Sequence, residues 1–382
     1  MYETSFDEIQ ALDEFENINP GQLQKDAHIS ASDLSNNQVL SFFCGAGGMD
    51  IGFSQAGFDI AFAADYDQAA VDTHNANVST RSASKLDLTQ VNADDIVGYL
   101  NRLPYPVNPV GIIGGPPCQG FSRANTKRAH DDPRNDLAKR YATMIIKLSD
   151  IYPLRFFVFE NVPELLAEKN KGFLRSLKRK LSERFTISMN VLNASDYGVP
   201  QNRERVFIVG IRRDGRKSKK FEFPNPIVGP KKNVRHAIGH LSHPAFFSRA
   251  IKLTDIPEHP NHWTMQPRSR RFSETLVSSG RSLIRLNWDK PSRTVAYGHR
   301  EIHVHPTGLR RLSIYEAMLL QGFPPDYTLK GNLSQQVTQV SNAVPPPVAL
   351  AIAEQLLKFI PSVVNSKNEQ RETERTAVIS AS

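Results

Sequence analysis

Four side chains near the ends of apolar runs could do chemistry together. Cys118 sits in GIIGGPPCQGFS (111–122), behind two glycines and two prolines. A packing cysteine belongs inside an apolar, periodic element. A thiol on a stiff loop just past a buried-looking strand can instead serve as a nucleophile, provided it is deprotonated and well placed. Glu160 closes the apolar run RFFVFEN, ahead of Val162 and Pro163. A carboxyl held there could have a raised pKa and act as an acid near neutrality, although an acid before a helix start is also what the helix dipole favours. Arg203 and Arg205 alternate with Asn202 and Glu204 in VPQNRERVFIVGIR, so both project to one side of an extended segment. Such fixed donors fit a phosphate or a carbonyl oxygen. Taken singly, the arginines read as a surface ion-pair cluster; thiol, carboxyl and guanidinium at the strand edges of one sheet read as a site.

A second set points to a ligand. VLSFFCGAGGMDIGF places Gly45, Gly47 and Gly48 between an apolar strand and a helix, where glycine permits tight turning and close backbone approach. The next strand ends in Asp65, about twenty residues on, where an acid commonly bonds a ribose. The spacing G-A-G-G departs from G-x-G-x-x-G, and Asp50 near the helix start would repel a pyrophosphate. A cationic or zwitterionic adenosine cofactor such as S-adenosylmethionine suits the loop better than a dinucleotide. A plain structural turn and an NAD-type oxidoreductase are the competing readings.

These groups need a scaffold, and the chain supplies one. From Gln38 onward apolar strands alternate with helices: NQVLSFF, DIAFAAD, VGIIGG, RFFVFEN, ISMNVLN and VFIVGIR as strands. Helices are expected over Ile51–Ala56, DQAAVDTHNAN, Leu137–Ile151 and FLRSLKRKLSERF, the last with Leu174, Leu177 and Leu181 on one face. Near-continuous apolar strands in this alternation predict an α/β, doubly wound, mostly parallel sheet. Residues 213–307 break the pattern with Pro-, Arg-, Ser- and His-rich text and read as a smaller, loop-rich lobe. Regular helices return in SIYEAMLLQ and VALAIAEQLLKFI within a segment 308–360. The flanks are an acidic extension, 1–37, with a short helix expected around Phe6–Phe15, and a polar, disordered tail, 361–382.

Charge is unevenly spread. Residues 1–38 carry eight acids against one lysine, whereas 212–311 carry 21 Lys/Arg against seven Asp/Glu, a net of +14. Concentrated positive charge suits a polyanion, because neutralising phosphates releases counterions; a solvated basic face is the bland alternative. Two cysteines do not build a disulfide framework. The acidic start is not a signal peptide, and no apolar run is long enough to span a bilayer.

In order along the chain, FFCGAGG, PPCQGFS, ENVPEL, QNRERVFIVGIR, RRLSIYEAMLLQGFP and NAVPPPVA resemble the motifs of the cytosine-C5 DNA methyltransferase family, over about Val39–Ile360. Ser341, before Asn342-Ala343-Val344, stands where many members have glycine. The resemblance implies the S-adenosylmethionine-dependent methyltransferase fold, with 38–212 as catalytic and cofactor-binding domain, 213–307 as target-recognition domain, and 308–360 returning to the catalytic domain. It implies methyl transfer from S-adenosylmethionine to C5 of a cytosine flipped out of a specific double-stranded DNA sequence. Cys118 would add to C6, Glu160 would protonate or hydrogen-bond N3, and Arg205 would hold O2 with Arg203 nearby. Asn161 would support the Glu160 loop, and Gln119 and Ser122 would belong to a mobile loop closing on DNA.

For the cofactor, the resemblance implies Phe43, Gly45 and Gly47 at the methionine side, Asp65 at the ribose and Asp87 at the adenine edge, with Ala46, Gly48, Tyr66 and Leu88 also in the site. Pro116, Leu137, Asn342, Ala343 and Val344 would complete that pocket. A cytoplasmic, nucleoid-associated monomer is implied, either paired with a cognate restriction endonuclease acting on the same site or solitary. The alternative within the same chemistry is a tRNA cytosine-C5 methyltransferase, whose Cys-Phe-Thr stretch is not found here. Cys44 reads as a packing residue, Trp263 and Trp288 as core of the lobe, and His299, His303 and His305 as structural or DNA-facing rather than metal ligands.

Overall fold

The computed structural model describes residues 37–77, 83–117, 134–214, 219–248, 250–277, 283–294 and 303–360. The helix expected around Phe6–Phe15, the tail 361–382, His299, and Cys118, Gln119 and Ser122 lie outside the described residues.

The alternation written in the sequence becomes a seven-stranded sheet. In chain order its first half runs β1 (Gln38–Phe42), α1 (Gly48–Gln55), β2 (Asp59–Asp65), α2 (Gln68–Asn77), β3 (Ala83–Lys85), α3 (Ala93–Leu100) and β4 (Gly111–Gly114). Then come α4 (Arg134–Ile151), β5 (Phe156–Asn161), α5 (Lys171–Leu181), β6 (Phe185–Asn193), β7 (Gln201–Asn202) and β8 (Glu204–Arg212). The spatial order is β3-β2-β1-β4-β5-β8-β6. Strands β3, β2, β1, β4 and β5 are mutually parallel, and β8 is antiparallel to both β5 and β6. The order reverses between β1 and β4, which opens a crevice beyond the strand ends.

Successive side chains of a strand point to opposite faces, so each strand feeds two cores. Leu40, Phe42, Ile112, Phe157 and Phe159 pack with Ile96 of α3, Tyr141 and Ile145 of α4, and Leu177 and Leu181 of α5. Val39, Ile113, Phe156 and Val158 pack on the other face with Met49 and Phe53 of α1 and Val71 of α2. Helix α1 begins at Gly48, three residues earlier than the apolar pattern suggested.

The lobe carries short elements: α6 (Val234–Ile238), β9 (Ala245–Phe246) paired with β10 (Trp263–Thr264), and β11 (Ser292–Arg293) paired with β7. The chain then returns through α7 (Ile314–Gln321), α8 (Leu333–Asn342) and α9 (Pro346–Leu356). Val234, Ile238 and Leu286 of the lobe share one core with Leu312, Leu320, Val337 and Val340 of the returning segment. A buried polar chain joins the same parts. Arg310 donates from Nη1 and Nη2 to the two carboxylate oxygens of Glu316 at 2.8 Å each. Glu316 also accepts the Ser313 N–H, while Ser313 Oγ contacts His262 Nδ1 at 2.9 Å. Trp263 is buried in the lobe, and Trp288 is half-buried beneath the Arg235 guanidinium. Burial holds His303 below the usual imidazole range and His305 down to about 4.

Candidate active site

At the end of β1 the chain turns sharply. Phe43 adopts a left-handed φ of 56°, unusual for a bulky side chain, and Gly45 (52°) and Gly47 (74°) follow it. The turn is closed by Gly47 N–H donating to the Cys44 carbonyl at 2.9 Å. From the end of β2, Asp65 receives the Gly45 N–H at 2.8 Å on one oxygen and the Asp67 N–H at 2.9 Å on the other. Burial raises its carboxyl above the ordinary value despite these bonds. Asp65 therefore fixes the glycine loop as well as facing the crevice, a structural role the motif alone did not reveal.

The crevice is a cleft of about 830 Å³. Phe43, Gly45, Asp65, Tyr66, Asp87, Leu88, Pro116, Leu137, Asn342, Ala343 and Val344 all line it. Tyr66 presents its ring at 69% exposure. Asp87 accepts both the Thr89 N–H (2.9 Å) and hydroxyl (2.6 Å) on one oxygen, and the Thr89 bonds hold its carboxyl below the usual range. Three carboxylates (Asp65, Asp67 and Asp87) stand on this half of the wall. Arg205, at the other end, is the sole lysine or arginine among the described lining residues. A wall of this charge suits a cationic adenosyl donor and opposes a pyrophosphate.

Ala46, Gly47 and Gly48 are not on the wall, contrary to expectation. A Cβ at Gly47 would meet the Tyr327 hydroxyl at 2.8 Å, and one at Gly48 would meet the Val344 carbonyl oxygen at 2.2 Å. These positions face protein: the returning segment packs on them, and Tyr327 donates its hydroxyl to the Ala46 carbonyl at 2.7 Å. Asp50 also points inward. It is buried, accepts the Ser41 hydroxyl at 2.6 Å and contacts His74 Nε2 at 3.0 Å, so it does not stand before the loop as an anion screen. Cys44 is core, as expected, and burial pushes its thiol well up, with Asp50 and Asp65 adding to the effect.

The other end of the cleft is built by the reversal of β8. An antiparallel strand starts where its parallel neighbour ends, so the first residues of β8 arrive beside the last of β5: Asn161 pairs with Val206 and Glu160 with Phe207. Glu160, 8% exposed, is 3.1 Å from Arg205 Nε through its Oε1. Burial raises the Glu160 carboxyl, and Arg205 and Arg203 pull it partly back. Asn161 donates from Nδ2 to the Pro116 carbonyl at 3.1 Å, while its Oδ1 accepts the Val162 N–H at 2.8 Å. It thus ties the Glu160 turn to the Pro116-Pro117 loop, which continues directly into Cys118. Both Pro116 and Pro117 line the cleft.

Alternation holds for the arginines: Asn202 and Glu204 are exposed while Arg203 and Arg205 turn in. Their destinations differ. Arg205 lines the cleft, whereas Arg203, 1% exposed, does not, and its Nη2 donates to the Ser341 carbonyl at 2.8 Å. The cleft also holds Ser41, Met49, Asp67, Thr89, Thr338 and Gln339, which motif reading missed. Thr338 and Gln339 lie one helical turn before Asn342 on α8, a spacing that would have placed them on its face.

The family model described as C-5 cytosine-specific DNA methylase matches residues 37–358. The type II methyltransferase M.MthTI of Methanothermobacter thermautotrophicus is 35% identical over 353 residues, spanning 86% of this chain and 100% of the relative. M.FnuDI of Fusobacterium nucleatum is 32% identical over 362 residues, 88% and 98% respectively. A prophage-encoded protein of E. coli described as a DNA modification methyltransferase superposes with a TM-score of 0.68 at 26% identity, over 84% of this chain and 99% of its own. The S. pombe Dnmt2 methyltransferase, at 17% identity and a TM-score of 0.57, shares the fold. With the cleft, its paired Glu160 and Arg205, and a match spanning almost the whole described chain, the protein belongs to the C-5 cytosine-specific DNA methylase family.

Proposed function

We propose that the protein methylates C5 of a cytosine in one short double-stranded DNA sequence, with S-adenosylmethionine as donor. The observation that carries this reading is the buried Glu160 carboxyl, held by Arg205 at one end of a cleft whose other end is lined by carboxylates. Cytosine C5 is too weak a nucleophile to take a methyl group unaided. In this reading the Cys118 thiolate adds to C6 and forms an S–C6 bond, while Glu160 delivers a proton or hydrogen bond to N3, leaving C5 enamine-like. Arg205 steadies Glu160 and the O2 side of the ring. Asn161 keeps the loop that leads to Cys118 in register with Glu160.

Bound S-adenosylmethionine supplies an electrophilic methyl group whose leaving group is a neutral thioether. C5 gains the methyl, loses its proton to a base, and the S–C6 bond breaks to restore the ring and the thiolate. Phe43, Asp65, Tyr66, Asp87 and Asn342 would hold the donor. The base must leave the duplex to reach the cleft, and the basic stretch 213–307 would read the surrounding sequence. Its relatives' type II naming supports a restriction–modification setting with a cognate endonuclease. The enzyme would act as a cytoplasmic monomer on the nucleoid.

The test is bisulfite sequencing of DNA from cells expressing the protein, beside Cys118→Ala. Protected cytosines in one recurring context, absent from the variant, are expected. An oligonucleotide with 5-fluorocytosine at that position should trap the protein covalently, because the fluorine cannot leave as the proton does. A folded protein that protects no cytosine in DNA would sink the reading.

A further inference from the structure

The wall segment Asn342–Val344 begins at the last residue of α8 and has no regular structure over Ala343 and Val344, yet it lines the cleft. One carbonyl just before it and one within it are held by side chains from different parts of the fold. Arg203 Nη2 donates to Ser341 O at 2.8 Å, and Gln321 Nε2, at the end of α7, donates to Ala343 O at 2.6 Å. The Val344 carbonyl lies against Gly48 so closely that a Cβ there would stand 2.2 Å away. Held in this way, Asn342, Ala343 and Val344 line the cleft, while Ala343 and Val344 are also buried in the cores on either side of it. Arg203 supplies the grip that comes from the target-base side, since its neighbour two residues on is the partner of Glu160.

We infer that Arg203 is a positioning residue for the methyl-donor half of the cleft, fixing the Ser341 carbonyl and through it the Asn342–Val344 wall, rather than a contact to the target base. The inference rests on the donor reading above. A guanidinium is suited to this work because its planar donors are fixed in direction and always charged, whereas a lysine ammonium on a flexible stem holds a carbonyl less rigidly. Arg203 also bears on Glu160 through its charge. One side chain therefore touches the electrostatics of the acid and the geometry of the donor wall. Losing a charge-assisted bond of this type weakens what it holds by about tenfold.

The probe is S-adenosylhomocysteine, which binds without turnover, titrated calorimetrically into the full-length protein and into Arg203→Lys, Arg203→Met, Gln321→Ala and Arg205→Gln. Thermal melting is followed in parallel. Both Arg203 variants should raise the Kd about tenfold and raise KM for S-adenosylmethionine alongside. Gln321→Ala should shift both the same way. Arg205→Gln should leave the Kd near wild type while kcat falls. Arg203→Lys that binds the probe as wild type does, with only kcat lowered, would overturn the inference and return Arg203 to the base. If the Arg203 variants do not fold, Gln321→Ala decides, and an unchanged Kd there overturns the gripped-wall argument. A folded wild-type protein that does not bind the probe overturns the donor reading and this inference with it, whereas wild-type binding shared by all variants overturns the inference alone.

Discussion

Gly48→Ala tests the wall from the opposite side. The new Cβ would stand 2.2 Å from the Val344 carbonyl oxygen and 3.3 Å from the Ala343 Cβ, and to reach even 3.0 Å the carbonyl must retreat by about 0.8 Å. The obstacle is backbone, so no rotamer relieves it. Overpacking of this kind destabilises by about 1–3 kcal/mol, offset by up to about 1 kcal/mol because alanine favours the helix start over glycine. The net loss, about 0–3 kcal/mol, lowers Tm by roughly 12 °C at most. Function should suffer far more, since a displacement approaching 1 Å at a positioning element lowers turnover by about 10²-fold. The assay pairs differential scanning calorimetry with S-adenosylhomocysteine titration and steady-state methyl transfer. Gly45→Ala is the control for the melt alone: its Cβ meets no protein atom within 4 Å, so its left-handed φ of 52° is the source of the loss, about 1–2 kcal/mol. A Gly48→Ala protein with wild-type probe affinity and turnover would refute the packing assigned to the glycine loop.

Glu160→Gln should lower turnover by about 10²–10⁴-fold, the usual contribution of a positioned acid. It should also be the more stable protein at higher pH. The folded carboxyl is held above its ordinary value of 4.5, chiefly by burial, so the wild type loses stability as pH rises from that value through the raised one, and the amide does not. Melts from pH 4 to 8 check this, and an advantage confined to acid pH would contradict it. Asn161→Ala frees the Pro116 carbonyl and should lower kcat about tenfold with the S-adenosylhomocysteine Kd unchanged; a raised Kd would place Asn161 on the donor side instead. Glu316→Gln breaks the buried pair with Arg310 and should destabilise by about 3–5 kcal/mol, with limited proteolysis appearing first in the lobe. A melt within 2 °C of wild type would show that the pair does not hold lobe and returning segment together.

Much of this was legible in the amino-acid string, for physical reasons. Strands such as FFVFEN and DIAFAAD are apolar throughout because both sheet faces are covered, and their polar last residues had to face the crevice. The antiparallel sense of β8 was not legible, since strand direction leaves no mark on an apolar run. Helix α8 was missed because LSQQVTQVSN buries Gln336 and Gln339 beside Val337 and Val340, so polarity hides its inner face. The available signal was the Asn332–Gln335 capping box. The glycines misled in a different way. Gly45 stands at the cleft while Gly47 and Gly48 give room to Tyr327 and Val344, neighbours that arrive from almost three hundred residues downstream and cannot be read locally. Arg203 and Arg205 both turn inward, as alternation implied, but alternation fixes which side a residue faces and not what lies there: Arg205 lines the cleft and Arg203 reaches the Ser341 carbonyl.

Helix α9 packs across α1, with the Pro346 carbonyl and the Leu350 N–H so near Gly52 that a Cβ there would come within 2.5 Å of each. One of the fold's earliest elements is thus completed by its last. During synthesis at about 5–20 residues per second, the glycine loop waits some 15–60 s for the helix that backs it. Through that interval the parallel strands and the basic stretch have been made while this part of the cleft wall has not. On the proposed function, competence to modify DNA is therefore an end-of-synthesis property, because residues 342–344 of the cleft wall and the helix that backs the glycine loop are made after every strand of the sheet.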